Sequence, residues 1–316
     1  MAELPVVPPD PASVALARPI SFDARYGAGH DRALVLGGGG LWFVAWQVAY
    51  LHELGECGVP VASATRVVGT SAGSLVASIV SAGHLRRVAA EVDFLAKVPR
   101  LVGALAGDGG LHESQQRALL AFGAAGDAEP GTIRAIGHAA LAAQAPPPER
   151  SRRSMRAVLA MRRWPEALHT TAVDAFTGER LVVTHESGLS VARAAAASSA
   201  VPGIFSPQPL HDRRAMDGGV SGTGLHADLA AGAGVALVVS LAAHAPADAP
   251  AGMTQAVGSQ EREVAALAAA GTTVLLRGPA HFDLEALMDP AEVAAARADG
   301  AAQAVADADE IAAAWA

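Results

Sequence analysis

Apolar residues follow a repeating strand-then-helix pattern along the first part of the chain. The short apolar runs Ala33–Leu36 and Val67–Val68 are typical of strands buried on both faces. Each run is followed by a glycine-containing turn and then by helical spacing, over Leu41–Leu54 and over Leu75–Val80. This alternation predicts an α/β fold with a mostly parallel central sheet and helices on its faces.

The sequence predicts how the chain is divided into a leader and a domain. Residues 1–30 are predicted to form a loosely structured leader, and residues 31–316 a single α/β domain. Within that domain, residues 86–165 have helical periodicity broken by glycines and prolines, which predicts a helical insertion or cap. The sequence further predicts a hairpin, two strands and a terminal helix, at Thr170–Asp174 with Leu181–Thr184, Val235–Ser240, Thr272–Leu276 and Ala291–Trp315.

Composition limits the class of protein and its cellular compartment. The 316 residues carry a net charge of −8, so a general nucleic-acid-binding surface is not expected. The single cysteine, Cys57, excludes an internal disulfide framework and favours a reducing, cytoplasmic compartment. No signal-peptide pattern is found near residue 1. Three uncharged stretches of membrane-spanning length are each broken by glycines, which favours buried strand–helix units and a soluble protein.

A Gly-x-Ser-x-Gly pentapeptide, Gly69–Gly73, lies between the second predicted strand and its helix. A serine on such a turn is pushed out of the backbone, and the small neighbours allow the sharp bend. The helix N-terminus also favours a developing negative charge. Ser71 is therefore a candidate nucleophile.

Four consecutive glycines, Gly37–Gly40, follow the first predicted strand. Their backbone N–H groups are unobstructed and are suited to a phosphate, to the oxyanion of an acyl-transfer intermediate, or to nothing beyond a tight turn. The dinucleotide-binding spacing Gly-x-Gly-x-x-Gly is incomplete, and no Lys-Ser/Thr pair of a phosphate-binding loop follows. A nucleotide-binding function is therefore disfavoured.

Asp217 begins an Asp-Gly-Gly sequence after another predicted strand. In isolation this sequence is typical of an ordinary turn. Its position before a predicted helix over Ala227–Ala231 also suits an acid or base presented from a loop.

Together these motifs resemble the patatin-like phospholipases. The resemblance covers roughly residues 31–290 and includes Ala200–Pro207 and the Asp-Gly-Gly-Val sequence from Asp217. It implies a three-layer α/β/α patatin-like fold and a serine acyl hydrolase that acts on lipid or acyl-ester substrates. Carried over by motif, Ser71 is the nucleophile, Asp217 the general base, and the N–H groups of Gly38, Gly39 and Gly40 the oxyanion hole. No metal or organic cofactor is implied.

The chain departs from the family pattern directly after the glycines. The family usually has one variable residue, then Arg or Lys, then Gly, where this chain has Leu41, Trp42 and Phe43. Fewer phosphate contacts are then expected, and a neutral acyl ester also becomes a suitable substrate. The alternative is a catalytically weak or silent protein that binds lipids or partners.

Two further sets of residues compete with or extend this interpretation. A Ser–His–Asp triad would need a histidine after the acid, and His226, His244 and His281 are available. An arginine-rich run is either a solvated helix face or a contact for anionic membrane surfaces, at Arg150, Arg152, Arg153, Arg156, Arg162 and Arg163.

Overall fold

The protein is represented by a computed structural model that describes residues 10–23, 26, 29–97, 110–161, 163–246 and 251–316. Its eight strands and nine helices are β1 (Arg32–Leu36), α1 (Gly40–Glu56), β2 (Arg66–Gly69), α2 (Ala72–Ser81), α3 (Leu85–Ala96), α4 (Glu113–Gly123), α5 (Pro130–Ala142), α6 (Pro148–Leu159), β3 (Leu168–Asp174), β4 (Arg180–Val183), α7 (Val191–Ser198), β5 (Gln208–Leu210), β6 (Arg213–Asp217), β7 (Val235–Val239), α8 (Ser259–Ala269), β8 (Thr273–Arg277) and α9 (Val293–Trp315). These counts concern the described residues and leave out a single helical turn at Pro11–Val14 and the 3₁₀ turns.

The strands form one mixed sheet in the order β5-β6-β3-β2-β1-β7-β8, with β4 also paired to β3. The five strands β3, β2, β1, β7 and β8 are parallel, whereas β4, β5 and β6 pair antiparallel. Parallel strands end at one common edge, where open α/β sheets bind their ligands. The glycine turn after β1 and Ser71 after β2 are therefore neighbours. The predicted α/β fold with a mostly parallel sheet is confirmed.

Helices cover both faces of the sheet. On one face α1 lies between the sheet and α9, and ten of its 17 residues are buried. Trp46 stacks on Tyr50 at 4.6 Å, and their polar ends donate to Asp299 and Asp307 of α9. The other face is covered more thinly, by α8 and by a 3₁₀ turn over Ala227–Ala230. This turn replaces the helix predicted for Ala227–Ala231.

The predicted insertion contains α3 to α6 and no strand within its described residues. Its helices are fastened to the body of the domain at several points. Gln115 Nε2 donates to the Gly203 carbonyl at 2.8 Å, and a methyl group at Gly137 would lie 2.0 Å from the Ala175 carbonyl oxygen. Residues 98–109 lie outside the described residues. The role of this segment as a cap remains a prediction.

Residues 10–23, assigned above to the leader, contact the domain where they are described. Leu16 is buried in a cluster with β4 and β6, and Ala17 forms an antiparallel bridge with Leu181. The domain boundary at residue 30 stays a prediction. Among the described residues, no helix combines the length and apolar character needed to cross a bilayer.

The contact between α1 and α9 depends on one glycine. A methyl group at Gly300 would lie 2.4 Å from the Trp46 carbonyl oxygen. We expect Gly300→Ala to lower the free energy of unfolding by about 1–3 kcal/mol, because neither backbone can move without unpacking the core. Urea denaturation measures the change.

Gly55 provides the matched control, since it lies in α1 with nothing within 4 Å of an added methyl group. Gly55→Ala should stabilise the protein by about 0.5–1 kcal/mol through helix propensity. Equal effects of both substitutions would show that the contact at Gly300 does not limit packing.

Candidate active site

Ser71 lies on a sharp turn between β2 and α2. Its backbone has φ 53° and ψ −122°, a conformation that non-glycine residues rarely adopt. The residues two positions before and after Ser71 must be glycines. A methyl group at Gly69 would lie 2.5 Å from the Gly73 carbonyl oxygen, and one at Gly73 would lie 2.0 Å from the Leu36 carbonyl oxygen. The chain thus presents a partly exposed serine at the N-terminus of α2.

Hydrogen bonds with nearby hydroxyls hold this strained backbone. The Ser71 N–H donates to Ser198 Oγ at 3.0 Å, and the Ser71 carbonyl accepts from Ser199 Oγ at 3.1 Å and from Ser74 Oγ at 2.7 Å. Ser198 and Ser199 come from the C-terminal end of α7. Sequence reasoning did not assign them a role, although a Ser-Ser pair ending a helix is a recognisable signal.

The four-glycine turn passes directly beside Ser71. A methyl group at Gly38 would lie 3.1 Å from Ser71 Cβ and 3.7 Å from its Oγ. Buried Gln47 of α1 donates to the Gly37 carbonyl at 2.9 Å and so fixes the start of the turn. In the part of the chain that the structure describes, the N–H groups of Gly38 and Gly39 donate to no acceptor. They remain open to a negatively charged oxygen.

Asp217 ends β6 and is buried. Its Oδ1 accepts from the Gly219 N–H at 2.8 Å, whereas its Oδ2 has no hydrogen-bond partner among the described residues. Burial raises the pKa of this carboxyl to about 6, against the opposing effects of the Ser71 hydroxyl and the Gly219 N–H. The hydroxyl is near enough to affect the pKa, yet it makes no hydrogen bond of ordinary geometry to the carboxylate, as is common in unliganded active sites.

The Thr171 side chain on β3 packs against both the Ser71 turn and the Asp217 turn. Thr70 Oγ1 lies 2.7 Å from Thr171 Oγ1 on β3, and a methyl group at Gly218 would lie 2.4 Å from the same Thr171 oxygen. The structure therefore brings together Ser71, Gly38 and Asp217, which are far apart in sequence.

Leu41–Phe43, the residues that depart from the family pattern, lie in the first turn of α1. Trp42 and Phe43 are buried in the core, and a methyl group at Gly39 would lie 2.6 Å from Phe43 Cβ. Gly40 has φ +69°, and a methyl group there would lie 2.6 Å from the Leu287 carbonyl oxygen. A 3₁₀ turn, Glu285–Met288, therefore packs directly on the glycine turn.

The three histidines considered for a triad do not join this site by any hydrogen bond of the described residues to Ser71 or Asp217. His226 is fully buried and contacts the Gly218 carbonyl, which sequence reasoning did not predict. Nor does any group of three or more His, Cys, Asp or Glu side chains within the described ranges have metal-binding geometry.

Comparison with known proteins relates the chain to one family. Residues 34–229, more than half of the chain, match the family model described as patatin-like phospholipase. No curated protein matches.

Two solved structures also align with the chain. VipD from Legionella pneumophila is 12% identical over 89% of this chain and 67% of its own, with a TM-score of 0.40. The type III effector protein ExoU is 19% identical over 87% of this chain and 53% of its own, with a TM-score of 0.33. The chain thus spans about two thirds of the first protein and about half of the second.

The raised pKa of Asp217 makes a prediction about stability. The folded-state pKa of about 6 lies above the ordinary value of 3.8, so ionisation of this carboxyl costs stability as the pH rises through 6. Asp217→Asn removes that cost. We expect it to increase the free energy of unfolding by up to about 3 kcal/mol at pH 8, and by only about 1 kcal/mol at pH 4.5.

Urea denaturation at both pH values measures the difference. Asp309→Asn, an exposed substitution on α9, serves as the control and should give a small effect at each pH. A gain for Asp217→Asn that is the same at pH 4.5 and pH 8 would contradict the raised pKa.

Proposed function

The chain belongs to the patatin-like phospholipase family, and from that premise we propose that it is a serine acyl hydrolase that cleaves acyl esters of lipids. The proposed activity is of the phospholipase A or lysophospholipase type. Ser71 is the nucleophile, Asp217 the general base, and the N–H groups around Gly38, Gly39 and Gly40 the oxyanion hole. The observation that carries the proposal is a buried carboxylate with one unpartnered oxygen, close to a serine on a strained turn.

The acylation step follows from these contacts. Asp217 accepts the Ser71 hydroxyl proton as Oγ attacks the ester carbonyl carbon, which activates an otherwise weak nucleophile. The carbonyl oxygen gains negative charge, which the free N–H groups of Gly38 and Gly39 stabilise. The intermediate then collapses to acyl-Ser71, and the alcohol leaves with the proton held by Asp217.

Water releases the acyl group by the same path in reverse. Asp217 takes a proton from a water molecule as its oxygen attacks the acyl-Ser71 carbonyl. Collapse of the second tetrahedral intermediate breaks the ester bond to Oγ and returns the proton to Ser71. A carboxyl with a pKa near 6 suits both transfers, because it is ionised at pH 7 and still a moderately strong base.

Surroundings of the glycine turn bear on the substrate. Trp42 occupies the position where the family usually has a basic residue, and it is buried rather than directed to solvent. One cationic partner for a phosphate is therefore absent. A neutral glyceride ester is therefore a candidate substrate beside a phospholipid or lysophospholipid.

A fluorophosphonate probe, which phosphonylates activated serines, tests the dyad. Wild-type protein should be labelled, Ser71→Ala should not, and Asp217→Asn should react at least about 100-fold more slowly because the general base is lost. The wild-type rate should fall below pH 6 as Asp217 becomes protonated. Mass spectrometry locates the adduct.

Ser154→Ala, an exposed serine on α6, is the matched control and should be labelled as fast as wild type. If folded wild-type protein is not labelled, the catalytically silent lipid-binding alternative is favoured. Labelling that persists in Ser71→Ala assigns the nucleophile to another residue.

We further propose that α6 contacts anionic membrane surfaces. Arg150, Arg153 and Arg156 are exposed on this helix, whereas Arg152 is paired with Glu149. Arg162 lies outside the described residues. Although the net charge is −8, charges act over only about one Debye length, roughly 8 Å at physiological salt, so the local arginines decide the contact.

Vesicle co-sedimentation tests this contact. The double variant Arg153→Ala/Arg156→Ala should weaken binding to vesicles containing anionic lipid by roughly 30-fold, from about 1 kcal/mol per arginine. Binding to neutral vesicles should not change. Arg117→Ala on α4, an exposed arginine outside this helix, is the control. Equal loss on both kinds of vesicle would exclude an electrostatic contact.

A further inference from the structure

A buried polar cluster that the proposed mechanism does not use lies behind the Asp217 turn. It consists of Arg180 on β4, His226, Asp228 and Glu263 on α8, each at most 9% exposed. Burying so many polar and charged groups is costly unless their hydrogen bonds are satisfied. The hydrogen bonds that satisfy these groups therefore indicate what the cluster holds in place.

Arg180 determines which nitrogen of His226 carries the proton. Its Nη1 lies 3.4 Å from His226 Nδ1, and a guanidinium can only donate, so Nδ1 accepts. The proton is then on Nε2, which donates to the Gly218 carbonyl at 3.1 Å. Asp228 fixes Arg180 by two hydrogen bonds of 2.6 and 2.7 Å. Burial and the Arg180 charge lower the pKa of His226 to about 3, so the ring is neutral.

The carbonyl that His226 binds belongs to the peptide unit that also binds Asp217. Within the Gly218–Gly219 unit, the carbonyl accepts from His226 and from Ser221 Oγ at 2.9 Å, while the N–H donates to Asp217 Oδ1 at 2.8 Å. A peptide unit is planar. Fixing its carbonyl therefore fixes the direction of its N–H, and a rotation of the unit would break both sets of bonds.

We propose that His226 is a positioning residue for Asp217, acting through the Gly218–Gly219 peptide unit. By holding that unit, it keeps Oδ1 bound to the Gly219 N–H and leaves Oδ2 available for the Ser71 proton. The kinetic part of this inference rests on the proposed function, whereas its effect on the Asp217 carboxyl does not.

Glu263 in turn holds His226. Its carboxylate accepts from the Thr223 hydroxyl at 2.5 Å and from the Ala227 N–H at 2.7 Å, and Thr223 Oγ1 accepts from the His226 N–H at 2.9 Å. These bonds support a left-handed backbone at His226, with φ 52°. Among the charged or titratable groups around His226, Arg180 on β4 contacts its ring, Asp228 binds Arg180, and Glu263 on α8 binds the Thr223 hydroxyl and the Ala227 N–H.

Two substitutions at His226 separate positioning from packing. Asn tolerates the left-handed backbone but is too short to reach the Gly218 carbonyl, whereas Gln is long enough to donate to it. Carbon-13 NMR of the full-length protein, with the Asp217 carboxyl assigned by Asp217→Asn, follows its titration. His226→Asn should raise the Asp217 pKa by about 0.5–1 unit, because the Gly219 hydrogen bond is weakened. His226→Gln should restore it.

Kinetics provide the second readout. The acidic limb of the pH profile of kcat/KM should move upward with the Asp217 pKa in His226→Asn, and kcat should fall about tenfold with little change in KM. Glu261→Gln, which changes an exposed glutamate on α8 outside the cluster, is the control. It should leave the acidic limb in place.

Each outcome decides the inference. An unchanged Asp217 titration in folded His226→Asn overturns it. Should that variant not fold, nitrogen-15 NMR of wild-type His226 decides instead: a proton on Nδ1, or a charged ring at pH 7, overturns it, and a proton on Nε2 alone supports it. If the wild type hydrolyses no ester but the Asp217 pKa still shifts, the proposed function fails while the positioning role stands.

Discussion

The site depends on the close approach of the Ser71 turn to the end of β1. Gly73 lies so near the Leu36 carbonyl that a methyl group would overlap it at 2.0 Å. This approach forces the first turn of α2 against the four-glycine turn and puts Ser71 into a strained backbone conformation. Both strands are buried and parallel, so neither can move to relieve the strain. The candidate nucleophile and the free N–H groups are consequently held together by the backbone itself.

The second constraint is electrostatic. A carboxylate buried at the sheet edge, with one oxygen unpartnered, is unfavourable for stability. Its raised pKa expresses that cost, and the same cost makes it a stronger base than an exposed aspartate. The hydrogen bonds around Gly218 and Gly219 offset part of the cost. Burial of Asp217 thus lowers stability and at the same time gives the carboxylate the basicity that the proposed chemistry needs.

Local sequence patterns were sufficient to predict the centre of the fold. The apolar runs and glycine turns around β1 and β2 predicted the parallel core and the position of Ser71. Resemblance, rather than pattern, connected Ser71 with Asp217, because their proximity depends on β6 pairing antiparallel with β3. Hydrophobic periodicity in the sequence does not indicate such a pairing between strands about forty residues apart.

The polar cluster behind Asp217 was not predictable for a different reason. His226 lies in a mostly apolar segment two residues before Asp228, and Glu263 ends the polar run Ser259–Glu263; for both, a surface or satisfied core position is the usual interpretation. Only the left-handed backbone at His226 and the contact of α8 with residues 223–227 bring them together. Both features depend on tertiary structure and leave no local pattern.

For the function that we propose, the departure from the family pattern after the glycines affects the substrate more than the chemistry. Phe43 packs under Gly39, and Met288 packs on Gly40, so two apolar side chains adjoin the second half of the glycine turn. Apolar neighbours lower the local dielectric constant, which strengthens the attraction between free N–H groups and a developing oxyanion. The same neighbours provide no cation for a phosphate. In the function that we propose, selection among lipid headgroups must then come from other parts of the surface, with the acyl carbonyl bound where Gly38 and Ser71 meet.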